Sequence, residues 1–410
     1  MKVLWFANTS IDYDETSSGY NGGGWMSALK IEVMKTTDIE LAISFYGKQS
    51  DRKIERNTVT YYPISFSRDI ISKMRRFFSQ SEQENAHIAE FKKIISDFKP
   101  DIIQIFGTEK PFGLVAKVTH VPTIIHLQGL INPYLNALLP PGYSKLDFFL
   151  SKGFKPYYII KNVRDYLALK KSAIREQKIF SECKYFLGRT HWDRAICKIL
   201  APNSSYFYCG EILRPEFSLV QGNIKRDGSQ KTTIVSTISD PLYKGADMIL
   251  KTANVLKDTM NLEFEWLVFG VKNIDFASSK LAIEGPSNGV KIKGVVSVED
   301  LITSLSTATA YVHPSYIDNS PNSICEAQVL GVPVVACNVG GVSSLISHSE
   351  SGFLSPANDP FMLAYYIKYL IENPDLRDQI SRNAHSIAIK RHNPSTVIGD
   401  LFKVYRKILN

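Results

Sequence analysis

Residues 313–341 read HPSYIDNSPNSICEAQVLGVPVVACNVGG, and their order of apolar runs and turn formers decides the fold. Thr309–His313 is a short apolar run closed by Pro314, the pattern of a buried strand at its end. Polar turn formers run from Asp318 to Ser323. Pro321 stands where a helix can begin, because the N–H that proline lacks is unpaired there in any case. Ile324–Leu330 then places apolar residues at helical spacing, Gly331 punctuates it, and Val332–Cys337 is a second buried strand before Gly340-Gly341. The stretch predicts a βαβ unit whose helix N-terminus lies beside the carboxyl end of a strand. Backbone N–H groups and the positive end of the helix dipole point outward there, which favours phosphate.

Two carboxylates lie inside this unit, Asp318 on the loop and Glu326 in the helix. A site that holds both a phosphate and sugar hydroxyls needs N–H donors for the first and acidic acceptors for the second, and this stretch supplies both. The arrangement suits a sugar nucleotide. The plainer alternative is that Asp318 caps the loop and Glu326 is a solvated helix residue.

The succession Pro314-Ser315, Asp318, Ser320-Pro321-Asn322-Ser323, Glu326-Ala327, Gly331, Pro333-Val334-Val335-Ala336 and Gly340-Gly341 resembles the E-x7-E region of glycosyltransferase family 4. Members of that family are retaining enzymes of the GT-B fold. The resemblance implies an α/β chain of two Rossmann-like domains facing across a cleft, with a C-terminal helix returning to the first. It also implies that the acid at Asp318 contacts hydroxyls of the transferred sugar and that Glu326 holds the ribose of the nucleotide. Asp318 departs from the pattern, since glutamate is usual at that place.

The chain's 410 residues suit two domains better than one. With 44% apolar and 21% charged residues the composition is that of a soluble globular protein. No apolar run approaches the ~18–20 residues needed to span a bilayer. Val3–Ala7 is too short for a signal-peptide core and reads as a first strand. Cys183, Cys197, Cys209, Cys325 and Cys337 show no paired spacing, so a reduced cytoplasm is the expected setting. The net charge of +8 resides wholly in the first half: +9 in residues 1–230 against −1 in residues 231–410. It concentrates in Ser72–Phe78 and in Lys152–Lys184, where Phe154, Tyr157, Tyr158 and Tyr166 interleave with nine basic and three acidic residues. Basic and aromatic residues together suggest peripheral contact with an anionic membrane surface, on the inner face of the plasma membrane; a solvated basic face is the alternative. No nucleic-acid-binding motif accompanies the charge.

Along the first half, Lys2–Asn8 reads as a strand that runs into a polar loop ending Gly22-Gly23-Gly24, followed by Trp25–Met34 at helical spacing. Ser27 occupies the third glycine position of G-x-G-x-x-G, which disfavours a dinucleotide site. The resemblance places Gly23 and Gly24 against the phosphates and sugar of the donor. Ile39–Tyr46, Thr58–Ile64, Asp101–Phe106 and Thr123–Leu127 read as further strands, and Ala86–Phe98 as an amphipathic helix stopped by Pro100. His126 falls at the end of one strand, ahead of Gln128-Gly129. It is similar to the family histidine next to the transferred sugar. Residues 1–217 form the expected N-terminal acceptor-binding domain, 218–230 the linker, and 231–393 the nucleotide-sugar-binding domain. Residues 394–410 form the returning helix.

In the second half, Lys244-Gly245 falls at a predicted helix start, where a lysine adds a point charge to the backbone donors for a diphosphate. The family usually has arginine where Ser239 stands; either another basic group, for example Arg189 or Arg194, substitutes, or phosphate binding is weaker than usual. Gly270 matches a site near the nucleotide base. The resemblance assigns Lys244, Asp318 and His126 to catalysis and Gly23, Gly24, Ser239, Gly270, Ser320, Asn322, Ser323 and Glu326 to the donor. Sugar transfer builds negative charge on the leaving diphosphate, which Lys244 and N–H groups near Ser320–Ser323 would stabilise. No His/Cys cluster with ligand spacing occurs, so neither metal nor other cofactor is expected. The expected reaction is retaining hexosyl transfer from a nucleotide-diphosphate sugar to a polysaccharide or lipid-linked acceptor in envelope glycan synthesis. An epimerase or phosphorylase of the same fold, or a non-catalytic sugar-nucleotide-binding subunit, is the alternative.

Overall fold

The computed structural model describes residues 1–13, 24–36, 38–47, 53–66, 80–219 and 232–410. Gly23, the basic stretch Ser72–Phe78 and residues 220–230 of the expected linker lie outside the described residues. The chain packs as two compact units, one made of 1–132, 170–214 and 392–410, the other of 133–169 and 215–391. Residues 133–169, which the sequence places in the first domain, belong to the second unit. The physical reason is visible in their contacts: Tyr134 donates to Asp318 and Asp147 pairs with Lys280.

The first unit is built on eight strands: β1 (Lys2–Phe6), β2 (Glu40–Tyr46), β3 (Ile54–Arg56), β4 (Val59–Ile64), β5 (Ile102–Phe106), β6 (Thr123–His126), β7 (Tyr185–Gly188) and β8 (Ser205–Tyr208). They lie in the order β3-β4-β2-β1-β5-β6-β7-β8, parallel throughout except for the β3–β4 pair. Strands buried on both faces read as near-continuous apolar runs, and IIQIF of β5 is buried at every position. One face of the sheet packs on the helix Gly24–Met34 and on Val397, Leu401, Val404 and Tyr405 of the helix Pro394–Leu409. The C-terminal helix thus returns to the first unit.

The second unit holds β9 (Thr233–Thr237), β10 (Glu265–Phe269), β11 (Val290–Gly294), β12 (Ala310–His313), β13 (Val334–Cys337) and β14 (Phe353–Ser355). Their order is β11-β10-β9-β12-β13-β14, all parallel. Both sheets are doubly wound, with the strand order reversing between β1 and β5 and between β9 and β12. Ligands of such sheets gather outside the strand carboxyl ends at that reversal. Among the described residues no helix is long and apolar enough to cross a membrane.

Three neighbouring strands of the second sheet are tied by one side-chain chain. The indole of fully buried Trp266 on β10 donates to Ser236 Oγ on β9 at 3.0 Å, and that hydroxyl donates to the Val312 carbonyl on β12 at 2.7 Å. Trp266→Ala is therefore expected to cost ~3–5 kcal/mol of stability. An unchanged urea midpoint for the variant would contradict this account of the second core.

Candidate active site

The loop between β12 and the helix Asn322–Val329 carries Asp318, whose side chain is 9% exposed. A buried carboxylate must be paired or hydrogen-bonded. Lys244 Nζ lies 2.6 Å from its Oδ2 and His313 Nε2 lies 3.2 Å from the same oxygen. On the other oxygen, the Tyr134 hydroxyl donates at 3.2 Å and the Asn319 N–H at 3.1 Å. Burial pushes this carboxyl up, but the Lys244 ammonium and His313 outweigh it and hold the group well below the usual carboxylate range. Burial, aided by the Asp318 charge, raises the Tyr134 phenol well above its ordinary value, so it remains a donor.

Lys244 is positioned by a tight backbone fit. It ends the short 3-10 turn Leu242–Lys244, and Gly245 follows at φ +82° before the helix Ala246–Asn254. A Cβ on Gly245 would fall 2.2 Å from the Pro314 carbonyl oxygen, and the Tyr316 N–H donates to the Tyr243 carbonyl at 2.8 Å. The lysine turn and the Asp318 loop are therefore clasped backbone to backbone. The structure brings together two of the three residues assigned to catalysis, and it adds His313 and Tyr134. His313 was legible only as a strand end; Tyr134, 184 positions from Asp318, carried no signal.

Among the donor residues, Glu326 corrects the solvated-helix alternative: it is 6% exposed. Ile324 through Val329 are all buried, so this helix has no solvent face on which a glutamate is free of cost. Pro321 occupies the cap position, one residue before the helix, and itself makes no side-chain cap bond. Ser320 is buried and Asn322 and Ser323 are half-buried at this same start. Ser239 is half-buried in the loop after β9. Gly270, at φ +90°, is required by the backbone itself, since a Cβ would stand 2.3 Å from the Ile238 carbonyl oxygen.

His126 and Gly24 belong to the first unit. Gly24 opens the helix Gly24–Met34. His126 is fully buried at the end of β6, with Gln104 Nε2 3.2 Å from its Nδ1 and with Nε2 unpartnered. Burial, and then the Arg189 charge, depress its pKa well below the ordinary value, so the ring is neutral. Arg189 is not a free substitute for the arginine missing at Ser239: it is buried and bonded to Glu211. Arg194 is exposed on the helix His191–Leu200.

Gly340 closes the geometry around Asp318. At φ +51° it brings its backbone so near that a Cβ would lie 1.9 Å from the Asp318 carbonyl oxygen, while the Gly341 N–H donates to that oxygen at 2.9 Å. Gly340→Ala should cost at least ~1–2 kcal/mol from the left-handed backbone alone and shift Asp318 away from Lys244. A thermal midpoint equal to that of the parent chain would refute this fit.

Residues 223–386 match the family model of glycosyl transferases group 1. A D-inositol 3-phosphate glycosyltransferase of Acidothermus cellulolyticus is 35% identical over 109 residues, 27% of this chain and 24% of that protein. The chain thus spans about a quarter of the length of that curated relative. The N,N'-diacetylbacillosaminyl-diphospho-undecaprenol alpha-1,3-N-acetylgalactosaminyltransferase of Campylobacter jejuni is 24% identical over 269 residues, 64% of this chain and 68% of the other. Sucrose-phosphate synthase from Thermosynechococcus elongatus superposes with a TM-score of 0.72 at 12% identity, over 100% of this chain and 99% of its own. Anabaena HepE, solved in complex with UDP-glucose, superposes with a TM-score of 0.61 at 15% identity, over 99% of this chain and 100% of its own. At these identities the two superpositions speak for the fold. The chain as a whole has the GT-B fold, and its residues 223–386 carry the match to the glycosyl transferases group 1 family.

Proposed function

We propose that the chain is a retaining hexosyltransferase of family 4, moving a sugar from a nucleotide-diphosphate sugar to a polysaccharide or lipid-linked acceptor in cell-envelope glycan synthesis. The observation that carries this reading is the Lys244–Asp318 pair, at 2.6 Å, set at the strand-order reversal of the segment that matches group 1 glycosyl transferases. An ammonium has three N–H donors. With Asp318 holding its head in place, the others serve the oxygens of the leaving diphosphate, and Asp318 stays ionised to accept from sugar hydroxyls. Preorganised charge of this kind is the main resource for a transition state that separates a cationic sugar from an anionic leaving group. Glu326, buried in the helix Asn322–Val329, is the acceptor assigned to the ribose. His126 is assigned to the neighbourhood of the transferred sugar, and Gly23, Gly24, Ser239, Gly270, Ser320, Asn322 and Ser323 to the donor.

The reaction in this reading needs no metal, because Lys244 and backbone N–H groups answer the diphosphate charge; turnover is expected to survive EDTA. Lys244→Ala should lower turnover of a competent sugar nucleotide by ~10²–10³, more through kcat than through donor affinity. Near-normal release of nucleoside diphosphate by that variant, assayed over a panel of sugar nucleotides, would place the phosphate site elsewhere. If the parent chain binds a sugar nucleotide and never turns it over, with acceptor extracts supplied, the non-catalytic subunit replaces the enzyme.

The lipid-linked acceptor and a peripheral, inner-face position draw support from the helix Pro156–Glu182. Tyr157, Ile160, Arg164, Leu167, Lys171 and Ile174 are all exposed at alternating spacings of three and four, which align on one helical stripe. Phe154, just before the helix, is 79% exposed. An apolar stripe interrupted by basic residues fits the headgroup layer of an anionic bilayer, where each Lys or Arg contributes about 1 kcal/mol. Sedimentation with anionic vesicles should be seen at low salt and lost at high salt, as screening shortens the reach of surface charge. Equal failure to sediment at both would leave the stripe a solvated face.

A further inference from the structure

Four fully buried polar side chains of the first unit form a directed series. Trp5 on β1, Gln104 on β5, His126 on β6 and Tyr405 on the C-terminal helix are each 0% exposed. An indole nitrogen can only donate, so Trp5 Nε1 gives its proton to the Tyr405 oxygen, 3.3 Å away. The Tyr405 proton must then go elsewhere, and Gln104 Oε1 receives it. Burial holds that phenol far above its ordinary pKa, so it keeps the proton it donates. With its oxygen committed, Gln104 turns its amide NH2 to His126 Nδ1 at 3.2 Å. A reversed amide would leave the Tyr405 O–H buried with no acceptor, at the full desolvation penalty of an unmade bond.

We infer that Trp5, Tyr405 and Gln104 are positioning residues that lock His126 in the tautomer with hydrogen on Nε2, presenting a hydrogen-bond donor to an acceptor oxygen of the ligand. Nε2 is the ring atom left without a partner in the protein. The ring plane is set by Trp25, edge-on with centroids 5.1 Å apart, and by stacked Phe106 at 5.7 Å. A donor fixed in this way distinguishes a ligand that offers a lone pair there from one that lacks it, since the latter leaves the N–H unpaired. The inference rests on the proposed reading only in supposing that the ligand oxygen belongs to a sugar donor; the tautomer does not depend on it.

The test uses the full chain with ring-nitrogen-labelled histidine and long-range proton–nitrogen correlation at neutral pH, with His126 assigned by its loss in His126→Gln. The expected result is a protonated Nε2 and a bare Nδ1; hydrogen on Nδ1, or an even mixture, overturns the inference. In Gln104→Glu the carboxylate can only accept, so hydrogen should appear on Nδ1, and kcat/KM for the sugar nucleotide should fall roughly tenfold, the worth of one hydrogen bond. Should that variant not fold, Tyr405→Phe serves. It frees the amide to reverse and should give a mixture of tautomers; an unaltered Nε2–H in it overturns the relay. A switched tautomer with unchanged kcat/KM overturns the positioning role. Absence of turnover in the parent chain counts against the transferase reading alone, because the tautomer is read without substrate.

Discussion

A carboxylate deep in a protein must be answered on every side, and Asp318 shows how much structure one such demand can organise. Its charge is met by an ammonium from the turn after β9, a ring nitrogen from the end of β12 and a phenol from residue 134, besides its own neighbour's N–H. Removing one partner from a buried pair is costly because the other charge stays behind. The constraint reaches the backbone, since the lysine turn and the glycine turn after β13 approach within distances that no Cβ could occupy. A surface carboxylate would impose none of this.

How much of this was legible follows from where the information lies. The βαβ unit of residues 309–337 was legible because strand, turn and helix signals succeed one another there; β12 and β13 were both anticipated within two residues. Strands β7 and β8 were not; β8 lies at the sheet edge with no buried position, so it lacks the buried apolar run that marks β12 and β13. The burial of Glu326 escaped because a helix covered all round loses the alternation from which a solvent face is inferred. Tyr134 escaped because its partner lies 184 residues away, and no local pattern encodes such a distance. Lys244 and Asp318 were assigned separately, and only the fold makes them a pair.

Gln104 illustrates the same limit within a correctly anticipated element. In IIQIF it is one polar residue in an apolar strand, which by itself reads as an imperfection. Its meaning depends on Tyr405, 301 residues later. The two units also differ in how they spend polarity. The second gathers charge around an open turn, with Lys244 21% exposed at its side chain. In the first, Trp5, Tyr405, Gln104 and His126 form a closed series of neutral donors and acceptors where each proton's place is dictated by the last.

The first unit is interrupted: between residues 214 and 392 the chain builds most of the second. On the ribosome, Trp5 and Gln104 are therefore made long before the tyrosine that joins them, and the sheet face that receives Val397, Leu401 and Tyr405 stays uncovered in the meantime. Chains that fold domain by domain from the N-terminus expose such surfaces until the missing piece arrives. In this protein the strands of the first unit are all made by residue 208 and those of the second by residue 355, so both sheets have their strands before the helix Pro394–Leu409 arrives. A chain arrested between residues 355 and 394 carries every strand of both sheets and a first sheet face that still lacks its C-terminal helix.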